Sequence, residues 1–338
     1  MKVHIFDTDV SVNNKRSLLI LTRPYFKNDN WDSQKISPVD EADIALIPFS
    51  INFYYKNGIH NRLKSASNIC AKMGILAYAF IAGDYGKAYP EFSNIIYFRM
   101  GGFAAQLSDR NKGFPVALSD HFQRLYHLDN PIPRKKPEKP IVGFCGHANK
   151  SPWKKAQVFA KMMLENAKRF LEKPLRKDFE PLFASAYERA QLLQSLERCQ
   201  DIQTNFIYRK NYRGGSQTDE LRTKTTLEYY DNLVNSDYVL CIRGTGNFSV
   251  RLYESLMMGK IPVFVNTDCL LPFPTRIDWK KHMVFVEFDN RQNLATIILD
   301  FHKQLSNDAF EQIQIANRML WKETLSIDGI FKIIENDL

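Results

Sequence analysis

The sequence is poor in cysteine, and its cysteines do not pair by spacing. Cys70, Cys145, Cys199, Cys241 and Cys269 are odd in number and scattered over 338 residues. They give neither a disulfide framework nor zinc-ligand spacing, and a reducing compartment is expected. The seven histidines form no H-x-x-x-H or H-E-x-x-H pattern, so no protein-ligated metal is expected. No apolar run approaches the ~18–20 residues that span a bilayer. The start, Met1-Lys-Val-His-Ile-Phe6, turns polar at Asp7. It reads as a strand and not as a signal peptide. Taken as a whole protein, the chain is expected to be cytoplasmic, attached to a membrane at most by its surface. Glycine and proline, 15 each, are too few for a collagen-like or linker-like chain. The phosphate fingerprints G-x-G-x-x-G and G-x-x-x-x-G-K-[ST] are both missing.

What is present suits two folded domains. The length exceeds a single average domain of ~100–200 residues, and 44% hydrophobic with 13% aromatic residues excludes a disordered chain. Lys+Arg 46 against Asp+Glu 37 leaves +9. That surplus admits a nucleic acid, an anionic membrane or a phosphorylated small molecule. Short apolar runs at 3–6, 18–22, 44–48, 75–81, 95–98, 141–144, 238–242, 261–265 and 283–286 read as strands. Helical patterns cover 58–73, 153–170, 181–196, 225–235, 250–258 and 292–305. Such alternation argues for parallel sheets covered by helices. Asn130-Pro-Ile-Pro-Arg-Lys-Lys-Pro-Glu-Lys-Pro140 can continue neither a helix nor a central strand. It divides the chain into a first domain, 1–133, a linker, 134–140, and a second domain, 141–315. The amphipathic tail, 316–338, is expected to pack back on the first domain.

The most informative stretch is Ser236-Asp-Tyr-Val-Leu-Cys-Ile-Arg-Gly-Thr-Gly-Asn-Phe-Ser-Val-Arg-Leu-Tyr-Glu-Ser-Leu-Met-Met-Gly-Lys-Ile-Pro-Val-Phe-Val265. A buried strand ends at Ile242. A loop with two glycines follows, and Ser249 caps a helix that stops at Gly259. Glycine lets backbone approach a ligand closely, and a helix N-terminus favours an anion. Arg243 and Arg251 add fixed positive charge. Arg251 and Glu254, three apart, share a helical face. A pyrophosphate at the helix start with a ribose reaching the carboxylate fits this pattern. So does a plain structural turn with a surface ion pair.

These residues resemble the exostosin family, glycosyltransferase family 47, of the GT-B fold. The family pattern C-P-R-G, S-x-R-x-x-E-A-x-x-x-G-x-x-P-V, L-P-F and Trp is met by Cys241-Ile-Arg243-Gly244, Ser249-Val-Arg251-Leu-Tyr-Glu254-Ser255, Gly259, Pro262-Val263, Leu271-Pro272-Phe273 and Trp279. Ile242 replaces the usual Pro and Ser255 the usual Ala. Weaker matches are Glu41-Ala42-Asp43-Ile44 through Pro48, Ala82-Gly83-Asp84-Tyr85-Gly86 and Phe144-Cys145-Gly146. The resemblance spans about 40–300 and is strongest over 236–280. It implies two Rossmann-like domains with parallel sheets facing across a cleft, the nucleotide-sugar donor on the second domain and the glycan or lipid-linked acceptor between them. It also implies inversion at the anomeric carbon, no bound metal and no other cofactor.

Carried over residue by residue, Glu254 would accept from the ribose hydroxyls. Arg243 and Arg251 would neutralise the leaving diphosphate. Ser249 would cap the helix and meet phosphate, and Gly244 would belong to the same loop. Gly146 would let a loop approach the diphosphate. Asp84 is the candidate general base, a turn aspartate bonded to its own backbone being the alternative. His147 is a weaker candidate near the donor. The remaining basic residues, Arg134-Lys135-Lys136, Lys154-Lys155, and Arg209-Lys210 with Arg213 ahead of Gly214-Gly215, are scattered. They suit a solvated surface or peripheral attachment to an anionic membrane. A fucosyltransferase-like GT-B enzyme, a non-catalytic glycan-binding relative and a nucleic-acid-binding protein are the competing readings. For the last there is no recognition signature, so no nucleic acid is expected as partner. Sugar, nucleotide base, acceptor, linkage and oligomeric state are not encoded legibly.

Overall fold

The structure is a computed structural model that describes residues 1–11, 18–28, 30–172, 178–210 and 218–336; Arg213, Gly214 and Gly215 lie outside them. The first lobe is built on a parallel sheet of β1 (Val3–Ile5), β4 (Ile44–Ser50), β5 (Leu76–Ile81), β6 (Ile95–Arg99) and β7 (Asn111–Gly113), in the order β1-β4-β5-β6-β7. A small antiparallel hairpin, β2 (Phe26–Lys27) with β3 (Asn30–Trp31), precedes β4. β4 reads Ile-Ala-Leu-Ile-Pro-Phe-Ser and is buried at every position, as expected of a central parallel strand covered on both faces. One face carries α1 (Ile51–Lys56) and α2 (Asn61–Met73), which bury Ile51, Tyr54, Leu63 and Cys70 against Ala45, Ile47 and Ala79. Ser50 caps α1 by accepting from the Phe53 amide at 3.3 Å. Gly74, at φ +70, ends α2.

The second lobe repeats the plan. Its strands are β8 (Ile141–His147), β9 (Gln203–Arg209), β10 (Tyr238–Ile242), β11 (Ile261–Asn266) and β12 (Val284–Glu287). They are all parallel, in the order β12-β11-β10-β8-β9. The helices in chain order are α3 (His121–Tyr126), α4 (Pro152–Glu172), α5 (Ser185–Glu197), α6 (Asp219–Val234), α7 (Val250–Met257), α8 (Leu294–Gln304), α9 (Asn307–Leu320) and α10 (Ile327–Asn336). α5, α8 and α9 close one face of the sheet over Leu240, Val263 and Val284. α6, α7 and α3 close the other, over Val239, Cys241 and Phe264. The architecture is thus α/β of GT-B type, two doubly covered parallel sheets, as the resemblance implies.

The chain crosses between lobes more than once. α3 precedes the proline-rich segment yet buries Phe122 in the second lobe, where Asp120 takes a two-pronged bond from Arg318 at 3.0 and 2.5 Å. α10 crosses back and packs Ile330 and Ile334 on Val3, Ile5, Leu46 and Phe98 of the first sheet. The proline-rich segment is pinned rather than free. Arg134 pairs with Asp237 at 2.8 Å, Lys136 donates to the Leu305 carbonyl at 2.6 Å, and the Pro137 carbonyl meets His302 Nε2 at 2.9 Å.

Several local expectations are corrected. Residues 18–22 are not a strand: Leu18 makes one bridge to Phe49, and a 3-10 helix, Ile20–Tyr25, follows. Its run of apolar residues is buried because the segment lies flat on the sheet, so burial alone could not tell the two apart. The helix expected from 181 starts at Ser185, after an extended stretch, and the one expected from 225 starts at Asp219 with Thr218 as its cap.

Lys260, just ahead of β11, is almost wholly buried. Burial, reinforced by Arg134 and opposed by Asp237, pushes its ammonium down to about 7. Between that value and its ordinary 10.5 the unfolded chain binds the extra proton. The sign is therefore that stability rises with pH through this window, and the full cost is present below it. Lys260→Met should stabilise the fold by about 1–4 kcal/mol at pH 6 and by much less at pH 10. Thermal melts of both proteins across pH check the slope; equal gains at both pH values would contradict it.

Candidate active site at the carboxyl ends of the two sheets

In the second sheet β8 lies between β9 and β10, so the winding reverses between β8 and β10. Ligands of open parallel sheets bind at such a reversal, outside the carboxyl ends of the strands. The register shows the two strands parting there. β10 pairs with β8 only at Tyr238–Val142 and Val239–Gly143. β8 stays with β9 as far as His147, and β10 stays with β11 as far as Ile242.

Arg251, in the first turn of α7, is inserted into this split. Its Nη2 donates to the Cys145 carbonyl at 3.0 Å and its Nη1 to the Leu240 carbonyl at 3.4 Å. One guanidinium thus holds both strands while its flat face lies 4.4 Å from the centroid of the Phe144 ring. Gly146 leaves room for this arrangement, since a Cβ there would lie 2.9 Å from Arg251 Nη2. Gly244 shows no such crowding. The nearest atom to a Cβ there is Arg189 Nη2 at 3.9 Å, and nothing in its surroundings demands glycine.

Three arginines meet at the crevice. Arg189 of α5 donates to the His147 carbonyl at 2.9 Å and to the Arg243 carbonyl at 3.2 Å. Burial, reinforced by the nearby Arg251, pushes it down to about 10. Arg243 is 1% exposed, packed between Phe183 and Phe103 at 4.9 and 5.3 Å from the ring centroids. It donates to the Thr245 carbonyl at 2.8 Å. Burial lowers its affinity for its proton, and Glu180 opposes that. The Nε–H groups of Arg189, Arg243 and Arg251 are each buried with no acceptor among the described residues. Buried donors ordinarily find partners, and three unpaired guanidinium Nε–H groups gather at this one locus.

The N-terminus of α7 opens on the same crevice. Ser249 occupies the cap position, but its side chain makes no capping bond, which departs from the expected N-cap role. The Leu252 amide turns back to the Ser249 carbonyl at 3.2 Å, and the first amides of the helix have no side-chain cap. Glu254, one turn on, accepts from the hydroxyls of Tyr229 and Tyr230, the latter at 3.4 Å. Burial first, and then the Glu254 carboxylate, holds the Tyr229 phenol well above its ordinary value. A carboxylate accepts about four hydrogen bonds, so two tyrosines orient Glu254 without exhausting it.

The first lobe supplies the opposite wall. Asp84 lies in the turn after β5, with its side chain exposed and in no hydrogen bond among the described residues. Its carbonyl oxygen lies against the second lobe: a Cβ on Gly246 would come within 2.6 Å of it, as would one on Gly101. Two acids that the sequence did not suggest lock this turn. Glu180 accepts from the Gly86 amide at 2.6 Å and lies 3.6 and 3.8 Å from Arg169 and Arg243. Asp178 accepts from the Ala88 amide at 2.6 Å. Asn247 adds a tie by donating to the carbonyls of Gly102, Thr267 and Asp268. His147 bonds the Arg209 carbonyl through Nδ1 at 3.0 Å. In the L-P-F segment, the Pro272 carbonyl accepts from the Trp279 indole at 2.9 Å, and Phe273 packs on the cores of both lobes.

Comparison with known proteins agrees with the motif. The Exostosin GT47 domain matches residues 142–300. A probable glucuronosyltransferase, GUT1, of Oryza sativa subsp. japonica is 33% identical over 89 residues, 26% of this chain and 21% of that protein. A probable beta-1,4-xylosyltransferase, IRX10L, of Arabidopsis thaliana is 33% identical over 79 residues, 23% of this chain and 19% of that protein. The matched stretches therefore span about a fifth of these curated relatives. Among solved structures, a mutant of S. aureus TarM in complex with Fondaparinux, alpha-GlcNAc-glycerol and UDP superposes with a TM-score of 0.39 at 12% identity, covering 87% of this chain and 54% of that one. Residues 142–300, which carry the crevice, the three arginines and Glu254, match the exostosin GT47 domain.

Proposed function

We propose that the protein is a glycosyltransferase that moves a sugar from a nucleotide-sugar donor to a glycan or lipid-linked glycan, with inversion and without a protein-bound metal. The observation that carries this reading is the crevice between β8 and β10, lined by buried arginines and the start of α7. In this reading the donor diphosphate lies at the α7 N-terminus. There the helix amides, the Ser249 hydroxyl and the charge of Arg189, Arg243 and Arg251 stabilise the negative charge that grows as the diphosphate departs. Glu254, oriented by Tyr229 and Tyr230, accepts from the ribose hydroxyls. Asp84 takes the proton of the acceptor hydroxyl as its oxygen attacks the anomeric carbon from the face opposite the diphosphate. The new glycosidic bond forms as the old carbon–oxygen bond breaks, and configuration is inverted. The match of residues 142–300 to the exostosin GT47 domain and the chain's similarity to a probable glucuronosyltransferase and a probable beta-1,4-xylosyltransferase support a glycan acceptor.

Thermal-shift screening with UDP-, GDP- and CMP-sugars tests the reading. A ligand at 100 times its Kd stabilises a fold by about 2.7 kcal/mol, so one nucleotide class should raise Tm by several degrees. A response to none of them, or to oligonucleotides alone, would overturn the proposal.

A further inference from the structure

The long helix α4 carries large apolar side chains on its outward face. Its inward face mixes the buried Met162 with polar groups. Arg169 is buried beside Glu165 and Glu180, Asn166 exchanges two 2.8 Å bonds with the Glu180 backbone, and Lys155 lies over the Tyr187 ring. The outward face carries Trp153, Leu164 and Leu171, spaced eleven and seven residues apart and so on one line, with Met163 and Phe170 beside them. All five are exposed, Trp153 at 72% and Leu171 at 81%. Lys154, Lys161 and Lys168, each seven residues from the next, form an exposed basic row along one border of that stripe. A contiguous apolar face of this kind marks an interaction surface.

We propose that α4 is an interfacial helix that docks the protein on an anionic lipid bilayer. Charge complementarity selects this occupant. A lysine row bordering an apolar stripe with a tryptophan at one end is how an amphipathic helix meets acidic headgroups while its apolar side chains enter the acyl boundary. A second copy of the chain would bring the same lysine rows and the same +9 charge together. No helix among the described residues is long and apolar enough to cross a membrane, so α4 lies on the surface. Its last turns adjoin the Asp84 turn, with Arg169 5.6 Å from the centroid of the Tyr85 ring and Lys87 Nζ 3.3 Å from Glu172. A bilayer under α4 therefore lies beside the first-lobe wall of the crevice. On the transferase reading, which this consequence alone rests on, the acceptor is lipid-linked and is met at the membrane surface.

Flotation of the full chain with vesicles of phosphatidylcholine, with and without phosphatidylglycerol, tests the proposal together with Trp153 fluorescence. The protein should float with the anionic vesicles only, with a blue shift of Trp153 emission. The triple variant Lys154→Glu/Lys161→Glu/Lys168→Glu should lose at least about a hundredfold in vesicle affinity, as removal of three lysines from an acidic surface implies, and the double variant Leu164→Glu/Leu171→Glu should no longer float. All these side chains are exposed, so Tm and nucleotide stabilisation should stay at wild-type values, which separates this test from that of the transferase reading. No flotation of the wild type, flotation that survives both variants, or a dimer in sedimentation that the variants dissolve while no lipid binds, would overturn it.

Discussion

Asp84→Asn should lower sugar transfer by about 10²–10⁴-fold, the range that a positioned general base supplies, while leaving the Kd of the donor unchanged. The substitution keeps size and polarity and removes the charge and the ability to take a proton. Asp84 is exposed in a turn whose backbone is fixed independently of its side chain. Glu180 holds the Gly86 amide, Asp178 holds the Ala88 amide, and the Asp84 carbonyl lies against Gly101 and Gly246. The asparagine variant should therefore fold as the wild type does. Nucleoside diphosphate release in the presence of acceptor measures the loss, and calorimetric titration of the donor measures binding. Full activity would remove Asp84 as the base; loss of donor binding in parallel with activity would assign it to the donor instead.

Gly146→Ala should weaken donor binding by about 10–100-fold, because a displacement of about 1 Å in a positioning group is enough to cost that much. The added Cβ would lie 2.9 Å from Arg251 Nη2 and 3.3 Å from the Phe144 ring. The strand cannot yield easily, since Gly146 pairs with Tyr208 of β9, so the guanidinium gives way and the split between β8 and β10 changes shape. Gly244→Ala is the control. Its Cβ has no neighbour nearer than 3.9 Å, and donor affinity should stay near wild type. Titration of the stabilising nucleotide into both variants decides the matter, and equal effects at the two glycines would contradict the role given to Arg251.

The part of the site that the sequence made legible is contiguous. Strand, glycine-bearing loop, helix and strand follow one another from Tyr238 to Val265, so the apolar runs, Gly259 and the motif residues carry the arrangement in their order alone. What stayed hidden depends on contacts between distant segments. Arg189 sits on a helix whose sequence carries no motif, and only the fold brings it to the carbonyls of His147 and Arg243. Glu180 and Asp178 were the few acids beside a basic helix. Their amide partners lie in the other lobe, about 90 residues away in sequence. Gly146 was legible as a glycine with a purpose, but its closeness to the Arg251 guanidinium was not, because that side chain comes from α7. β9 escaped for a related reason. As an edge strand, Gln-Thr-Asn-Phe-Ile-Tyr-Arg is mostly half-buried and carries no strong alternation. In the 18–22 segment the apolar run was real and its burial followed, but the same run serves a 3-10 helix as well as a strand.

The central claim is that a nucleoside diphosphate binds where β8 and β10 part, at the start of α7. Amide hydrogen exchange, with and without whichever of UDP, GDP or CMP most stabilises the protein, tests it most directly. Exchange should slow in 143–147 and 243–256, with α2 and the core of the first sheet unchanged. Protection confined to the first lobe, or no protection by any of the three nucleotides, would contradict it.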